Sequence, residues 1–205
     1  MKNTIYSLML NDEVVAEVDS LARRLGSTRS SLINEILAEY VDYVTPARRA
    51  RDVLSAIEEL MRPTELVPFF PPNSKTLSVK SALQYRYRPT IKYEINLYRS
   101  SGDTMGQLDV LFRTQSSELI SEIFDFFRIW KRIERRQDVE YALYDGKFSR
   151  SIPTPELDCT NEQIANSIYS YVTLFDNMLK GYLSGRLSEG DIEQEYNEEK
   201  EAFLI

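Results

Sequence analysis

The sequence contains no histidine and one cysteine, Cys159, among its 205 residues. Zinc sites are built largely from cysteine and histidine, and histidine is the usual general base, so most soft-metal and triad chemistry lacks its ordinary residues. One cysteine also excludes a disulfide within the chain and fits a reducing compartment. We therefore predict no enzymatic activity, no catalytic residue, no metal site and no cofactor.

Long apolar runs are also missing. No stretch approaches the roughly 18 consecutive apolar residues that a membrane span requires. The N-terminus lacks the apolar region of a signal peptide as well. We therefore expect a cytoplasmic protein with no membrane partner.

The negative charge lies at one end of the chain. The formal net charge is −7, yet residues 1–150 carry 22 basic and 21 acidic residues, whereas residues 151–205 carry 3 and 11. The first 150 residues are therefore compatible with a nucleic-acid partner, and the acidic end needs a separate interpretation.

The first 44 residues contain the pattern of one strand and two helices. Residues Ile5–Leu10 predict a short strand with Tyr6, Leu8 and Leu10 on one face and Ile5, Ser7 and Met9 on the other. Asn11 is placed to cap a helix that ends near Gly26. Thr28 or Ser27 would cap the second helix. Such a unit is too small to bury its own core and leaves an unpaired strand edge. Two copies that pair their strands would remove both defects.

This segment resembles the ribbon-helix-helix DNA-binding proteins of the MetJ, Arc and CopG type over residues 2–44. The resemblance is carried by Ile5-Tyr6-Ser7-Leu8-Met9-Leu10, Asn11-Asp12-Glu13, Leu21-Ala22-Arg23-Arg24-Leu25-Gly26 and Thr28-Arg29-Ser30-Ser31-Leu32-Ile33. In that family a two-stranded ribbon enters the major groove, and the N-terminus of the second helix contacts a backbone phosphate. The resemblance implies a homodimer that binds double-stranded DNA. Its groove-facing residues would be Ile5, Ser7 and Met9, and its phosphate clamp would be Thr28, Arg29 and Ser30.

The clamp and the ribbon differ in how well their chemistry suits DNA. Helix amides and one guanidinium suit a phosphate. Base recognition favours Arg, Lys, Asn or Gln, whereas this ribbon offers the hydroxyl of Ser7 between two apolar side chains. The sequence therefore supports phosphate contacts better than base reading.

The sequence after residue 45 predicts three further segments of the protein. Residues 46–76 form a helix and a connector whose four prolines, Pro63, Pro68, Pro71 and Pro72, stop helix and strand alike and mark the best domain boundary. Residues 77–150 form an antiparallel sheet plus a helix: strands at 83–87, 91–97, 108–112 and 139–144, and a helix capped by Ser116 or Ser117. Residues 151–205 form an acidic helical segment capped by Thr160 and Ser188. The fold class is α+β, with residues 1–45 as the dimerisation and DNA-binding domain.

Several side-chain groups in these parts allow both a functional and a structural interpretation. The cations Arg128, Lys131, Arg132, Arg135 and Arg136 suggest a second nucleic-acid contact, but a solvated helix face is favoured. The strand tyrosines are interpreted as core residues, and a ligand pocket between the helix of Trp130 and the sheet is conceivable. The acidic segment is expected to weaken DNA binding by repulsion, unless its helices pack into the second domain.

Two functions remain open. The first is a dimeric DNA-binding transcriptional regulator, a repressor whose C-terminal domain senses a signal, oligomerises or binds a protein partner. The second is an antitoxin-like or adaptor protein that uses the ribbon-helix-helix unit chiefly to dimerise and bind a protein. The clamp favours the first function, and the apolar ribbon and overall acidity favour the second.

Overall fold

The structure is a computed structural model that describes residues 6–69, 75–83, 89–98, 102–144, 146–155 and 159–203. The chain divides after Arg49 into two compact units. This division lies in the first turn of a helix, α3 (Pro46–Met61), rather than in the proline-rich stretch. The reason is that α3 buries Val53, Leu54 and Ile57 in the core of the second unit.

The first unit contains two helices, α1 (Asp12–Arg24) and α2 (Arg29–Tyr40), joined by a tight turn. The Asn11 side chain caps α1 by accepting a hydrogen bond from the Glu13 amide at 2.8 Å. At the other end Gly26 has φ +61°, and the amide of Ser27 donates to the carbonyl of Ala22 at 2.9 Å. This left-handed turn satisfies the last carbonyls of α1 and favours glycine.

The first unit buries little of its apolar surface by itself. Among the described residues of α1 and α2 only Ala22 and Leu32 are buried. The exposed apolar side chains are Tyr6, Leu8, Met9, Leu10, Val14, Leu25, Ile36, Leu37, Tyr40, Val41, Tyr43 and Val44. A stable isolated core does not expose so many large apolar groups, so this surface is suited to a partner.

Over the described residues 6–10 of the single chain, the strand predicted at Ile5–Leu10 does not form. Ile5 lies outside the described residues, and residues 6–10 adopt no regular secondary structure. A strand needs a hydrogen-bonding neighbour, and the neighbour that the sequence predicts is a second copy of the same segment.

Six described strands of the second unit form one antiparallel sheet in the order β1-β2-β3-β4-β6-β5. The strands are β1 (Val67–Phe69), β2 (Thr76–Ala82), β3 (Thr90–Leu97), β4 (Thr104–Phe112), β5 (Tyr141–Tyr144) and β6 (Lys147–Pro153). The predicted alternation holds in β3, where Ile91, Tyr93, Ile95 and Leu97 are buried and the residues between them are partly exposed.

Three strand predictions need correction. The strand predicted at 83–87 falls largely on residues 84–88, which lie outside the described residues, and the observed strand β2 precedes it. The strand predicted at 139–144 is observed as the shorter β5 (Tyr141–Tyr144), and it forms a hairpin with β6, which the sequence did not predict. The proline-rich stretch does not exclude a strand, because Pro68 lies in β1, an edge strand of the sheet, and edge strands tolerate proline.

Helices cover one face of this sheet. Besides α3 these are α4 (Ser117–Glu134), α5 (Asn161–Leu183) and α6 (Glu189–Glu199), and their predicted caps Ser116, Thr160 and Ser188 are all confirmed. Phe127 of α4 stacks on Phe148 of β6 at 5.0 Å between ring centroids, and Phe175 of α5 meets Tyr93 of β3 at 6.2 Å.

The acidic end is part of this core and not a separate tail. Helix α5 buries Ile168, Val172 and Phe175, and α6 buries Ile192 and Tyr196. The predicted connector, sheet domain and acidic segment therefore share one hydrophobic core over their described residues. None of the helices in the described ranges is long and apolar enough to cross a membrane.

Candidate nucleic-acid interface

The predicted clamp residues lie together at the start of α2. Thr28 is the N-cap, which confirms one of the two predicted alternatives. Its Oγ1 accepts a hydrogen bond from the amide of Ser31 at 3.2 Å. Thr28, Arg29 and Ser30 are all exposed. The first turn of α2 contains no acidic residue. The amides of Arg29 and Ser30 in this turn have no acceptor within the helix, so the geometry suits an anion.

Arg29 makes an ion pair that the sequence does not reveal. Its Nε donates to Oδ1 of Asp19 at 2.6 Å, and its second terminal nitrogen donates to the other carboxylate oxygen. The hydrogen bond from Arg29 lowers the pKa of Asp19, and the same bond raises the pKa of Arg29. The guanidinium of the predicted clamp is thus bound to a carboxylate of α1.

A second arginine, Arg23, also interacts with Asp19, through its backbone carbonyl and through the charge of its carboxylate. Arg23 lies in the last turn of α1, where its Nε donates to the backbone carbonyl of Asp19 at 3.3 Å. Its charge also helps to lower the pKa of Asp19, after the larger contribution of Arg29. The sequence alone does not show the Asp19–Arg29 pair, because the pair depends on how α1 and α2 cross. Arg23 lies four residues after Asp19 on α1, so its contact is local.

The predicted ribbon residues are not brought to this site in the single chain. Ser7 and Met9 are exposed, and Ile5 lies outside the described residues. They belong to the segment without regular structure, so their predicted role in the groove stays a prediction.

The cations of α4 and of the turn that follows it are largely neutralised by neighbours. Arg128 pairs with Asp125 at 2.8 Å, Arg132 pairs with Glu189 of α6, and Arg136 contacts Asp138 at 3.0 Å. Lys131 lies over the ring of Tyr141 at 5.8 Å. These contacts support the interpretation of this helix face as a solvated surface. The Arg132–Glu189 pair also links α4 to α6.

Two polar clusters are buried in the second unit. In the first, Glu134 pairs with Arg150 and accepts a hydrogen bond from Tyr171 at 2.8 Å. In the second, Asp176 accepts hydrogen bonds from Ser81 at 2.9 Å and Tyr93 at 2.8 Å. Burial, reinforced by the nearby carboxylate, raises the pKa of Tyr171 and of Tyr93 well above the usual range. Because these side chains are buried and hydrogen-bonded to one another, they stabilise the core of the second unit.

The conceivable pocket between α4 and the sheet is filled by side chains. Phe126, Phe127, Trp130 and Phe175 pack against one another with centroid separations of 5.0–6.2 Å. The opposite face of the sheet is polar, with a shallow cavity of about 540 Å³ beside Lys147. Within the described ranges no cluster of acidic or cysteine side chains is arranged to hold a metal ion.

Comparison with known proteins recognises the N-terminal segment. Residues 7–44 match the family model described as ribbon-helix-helix protein, copG family. Proteins of this family generally dimerise and bind DNA, and they include DNA-binding regulators and antitoxin-like proteins. No curated protein and no solved structure matches the chain. The chain therefore combines an N-terminal ribbon-helix-helix segment with a second α+β unit that no match identifies.

Proposed function

We propose that this protein is a homodimeric DNA-binding transcriptional regulator, acting as a repressor in the cytoplasm. The observation that carries the proposal is the family match over residues 7–44, in a segment whose apolar side chains are exposed in the single chain. The second unit would sense a signal or bind a protein partner. The proposal assigns the chain no enzymatic activity.

The exposed apolar surface supports dimerisation. Leu8, Leu10, Val14, Ile36 and Leu37 are each between 44% and 64% exposed. Fully burying an exposed side chain of this kind contributes about 1.5–3 kcal/mol, and since these are already partly covered, completing the burial of each contributes roughly half of that. Several of them in each copy would offset the roughly 4–15 kcal/mol that association costs in lost freedom and ordering.

The clamp supports DNA contact. In a ribbon-helix-helix dimer each copy would present the N-terminus of its α2 to the phosphate backbone. The amides of that turn and the Arg29 guanidinium suit a phosphate, and the turn holds no acidic residue to repel it. Such contacts give affinity without sequence information.

Two neighbouring residues allow a matched test in the full-length chain. Leu8→Asp should yield a monomer, because the ribbon would bury a charge without a partner. Ser7→Asp adds the same charge on the opposite, groove-facing side and should leave a dimer with weakened DNA binding. Sedimentation velocity and duplex binding measure both. A wild-type monomer, or a Leu8→Asp dimer, would contradict the proposed assembly.

An adaptor or antitoxin-like protein is the second candidate. Two observations favour it: the ribbon offers mainly apolar side chains, and Arg29 is already paired with Asp19. In this case the dimer would form and bind a protein, and duplex DNA would bind weakly or not at all. The measurements above separate the two candidates, since only the regulator loses DNA binding in Ser7→Asp.

A further inference from the structure

We propose that Asp19 competes with DNA phosphate for the Arg29 guanidinium and thereby limits the affinity of the clamp. The inference rests on the proposed function, because it concerns how the same site is controlled. It adds a residue that lies in neither the ribbon nor the clamp. Asp19 belongs to α1, ten residues before Arg29 in the chain.

The geometry of the pair makes it a direct competitor. A carboxylate and a phosphate both bind guanidinium through two parallel hydrogen bonds. Asp19 already takes the edge formed by Nε and one terminal nitrogen of Arg29. A phosphate must either displace the Asp19 carboxylate or approach the remaining edge of the Arg29 guanidinium, whose charge Asp19 already balances. Either route reduces the net attraction.

The pair is also accessible to DNA. The side chains of Arg29 and Asp19 are 53% and 35% exposed, so water and salt reach both. An exposed ion pair of this kind is weak enough to exchange. After the exchange the Asp19 carboxylate stays near Arg23, whose charge already acts on it. The released carboxylate therefore keeps a cationic neighbour, and the guanidinium can turn to the phosphate.

A matched pair of substitutions tests this competition in the full-length protein. Asp19→Asn removes the competing charge, while the amide oxygen can still accept one hydrogen bond from Arg29. Glu17→Gln removes the same charge from an exposed position of the same helix, where no bond to Arg29 is described. Affinity for a random-sequence duplex is measured by fluorescence anisotropy from about 50 to 200 mM salt, the range over which phosphate contacts weaken.

We expect Asp19→Asn to bind about five- to tenfold more tightly than Glu17→Gln at low salt, the effect of removing one exposed ion pair from each clamp of a dimer. The difference should shrink as salt rises. It should also vanish in an Arg29→Ala background, where there is no guanidinium to compete for. Circular dichroism of each variant verifies that α1 and α2 are retained.

The outcomes separate this inference from the proposed function. If Arg29→Ala weakens binding but Asp19→Asn behaves like Glu17→Gln, the competition is overturned and the clamp stands. Weaker binding by Asp19→Asn than by wild type would also overturn it, since Asp19 would then position Arg29 for DNA. If Arg29→Ala binds as wild type does, the proposed clamp fails, and the competition fails with it.

Discussion

Glu134 and Arg150 show how a single buried pair organises the second unit. Both side chains are only 1% exposed, and Glu134 Oε1 accepts hydrogen bonds from Arg150 at 2.9 and 2.6 Å. Its other oxygen accepts from Tyr171, whose own oxygen accepts from the indole of Trp130 at 2.8 Å. Taking two charges out of water is costly, and this network of bonds offsets that cost. It joins α4, α5 and β6.

Neutralising Glu134 should therefore destabilise the protein strongly. Glu134→Gln leaves Arg150 as an uncompensated buried charge, and we expect the free energy of unfolding to fall by about 3–5 kcal/mol. Glu118→Gln, at an exposed position of the same helix, should change it by less than about 0.5 kcal/mol. Urea unfolding followed by circular dichroism measures both. Equal stabilities of the two variants would show that the pair contributes little.

At the scale of elements, caps were predictable because they depend on neighbouring residues in the chain. The side chains of Asn11, Thr28, Ser116, Thr160 and Ser188 each accept a hydrogen bond from a backbone amide two or three residues later. The sequence predicts Asn11, Thr160 and Ser188 as caps directly, and it predicts Thr28 and Ser116 each as one of two neighbouring alternatives. The Asp19–Arg29 contact was not predictable, because it joins two helices.

Strands are most readily predictable where one face is uniformly apolar. Strands β3 and β4 follow that rule, and the sequence predicts their buried apolar positions, although Asp109 of β4 is buried as well. Strand β2 escaped because Ser78 and Ser81 are both buried, so its hydroxyls fall on both faces and hide the alternation. Strand β6 escaped because its core position Arg150 is charged. The buried charge of Arg150 is compensated by Glu134, which is distant in the chain, and a local sequence pattern cannot show such a pair.

The ring of Tyr196 is one of the contacts that attach helix α6 to the core. The Tyr196 ring lies 5.6 Å from Trp130 and 6.1 Å from Phe203, and the residue is only 6% exposed. Tyr196→Ala should lower the free energy of unfolding by about 3–5 kcal/mol, as large-to-small aromatic substitutions in cores do. Glu195→Ala, at the exposed preceding position, is the matched control. Thermal melting compares the stabilities of the two variants. A Tyr196→Ala protein as stable as the Glu195→Ala control would show that this ring does not hold α6 to the core.

At the scale of the whole molecule, the uneven charge belongs to a folded domain. The segment 151–205 carries 11 acidic and 3 basic residues, yet its helices supply Val172, Phe175 and Tyr196 to the core. A chain that ends at Arg150 would lose that core, so truncation cannot isolate the effect of the acidic charge. The predicted repulsion between this segment and DNA therefore stays a prediction.

The central claim is that the N-terminal segments of two chains hold DNA by its phosphates. A salt titration of full-length wild type and Arg29→Ala with a random-sequence duplex tests it most directly. We expect the logarithm of the binding constant to fall linearly with the logarithm of salt concentration. The slope for Arg29→Ala should be smaller by about one for each clamp lost, with affinity reduced alike for all sequences. A dimeric wild type that shows no salt-dependent binding at about 50 mM salt, where phosphate contacts are strong, would contradict the claim.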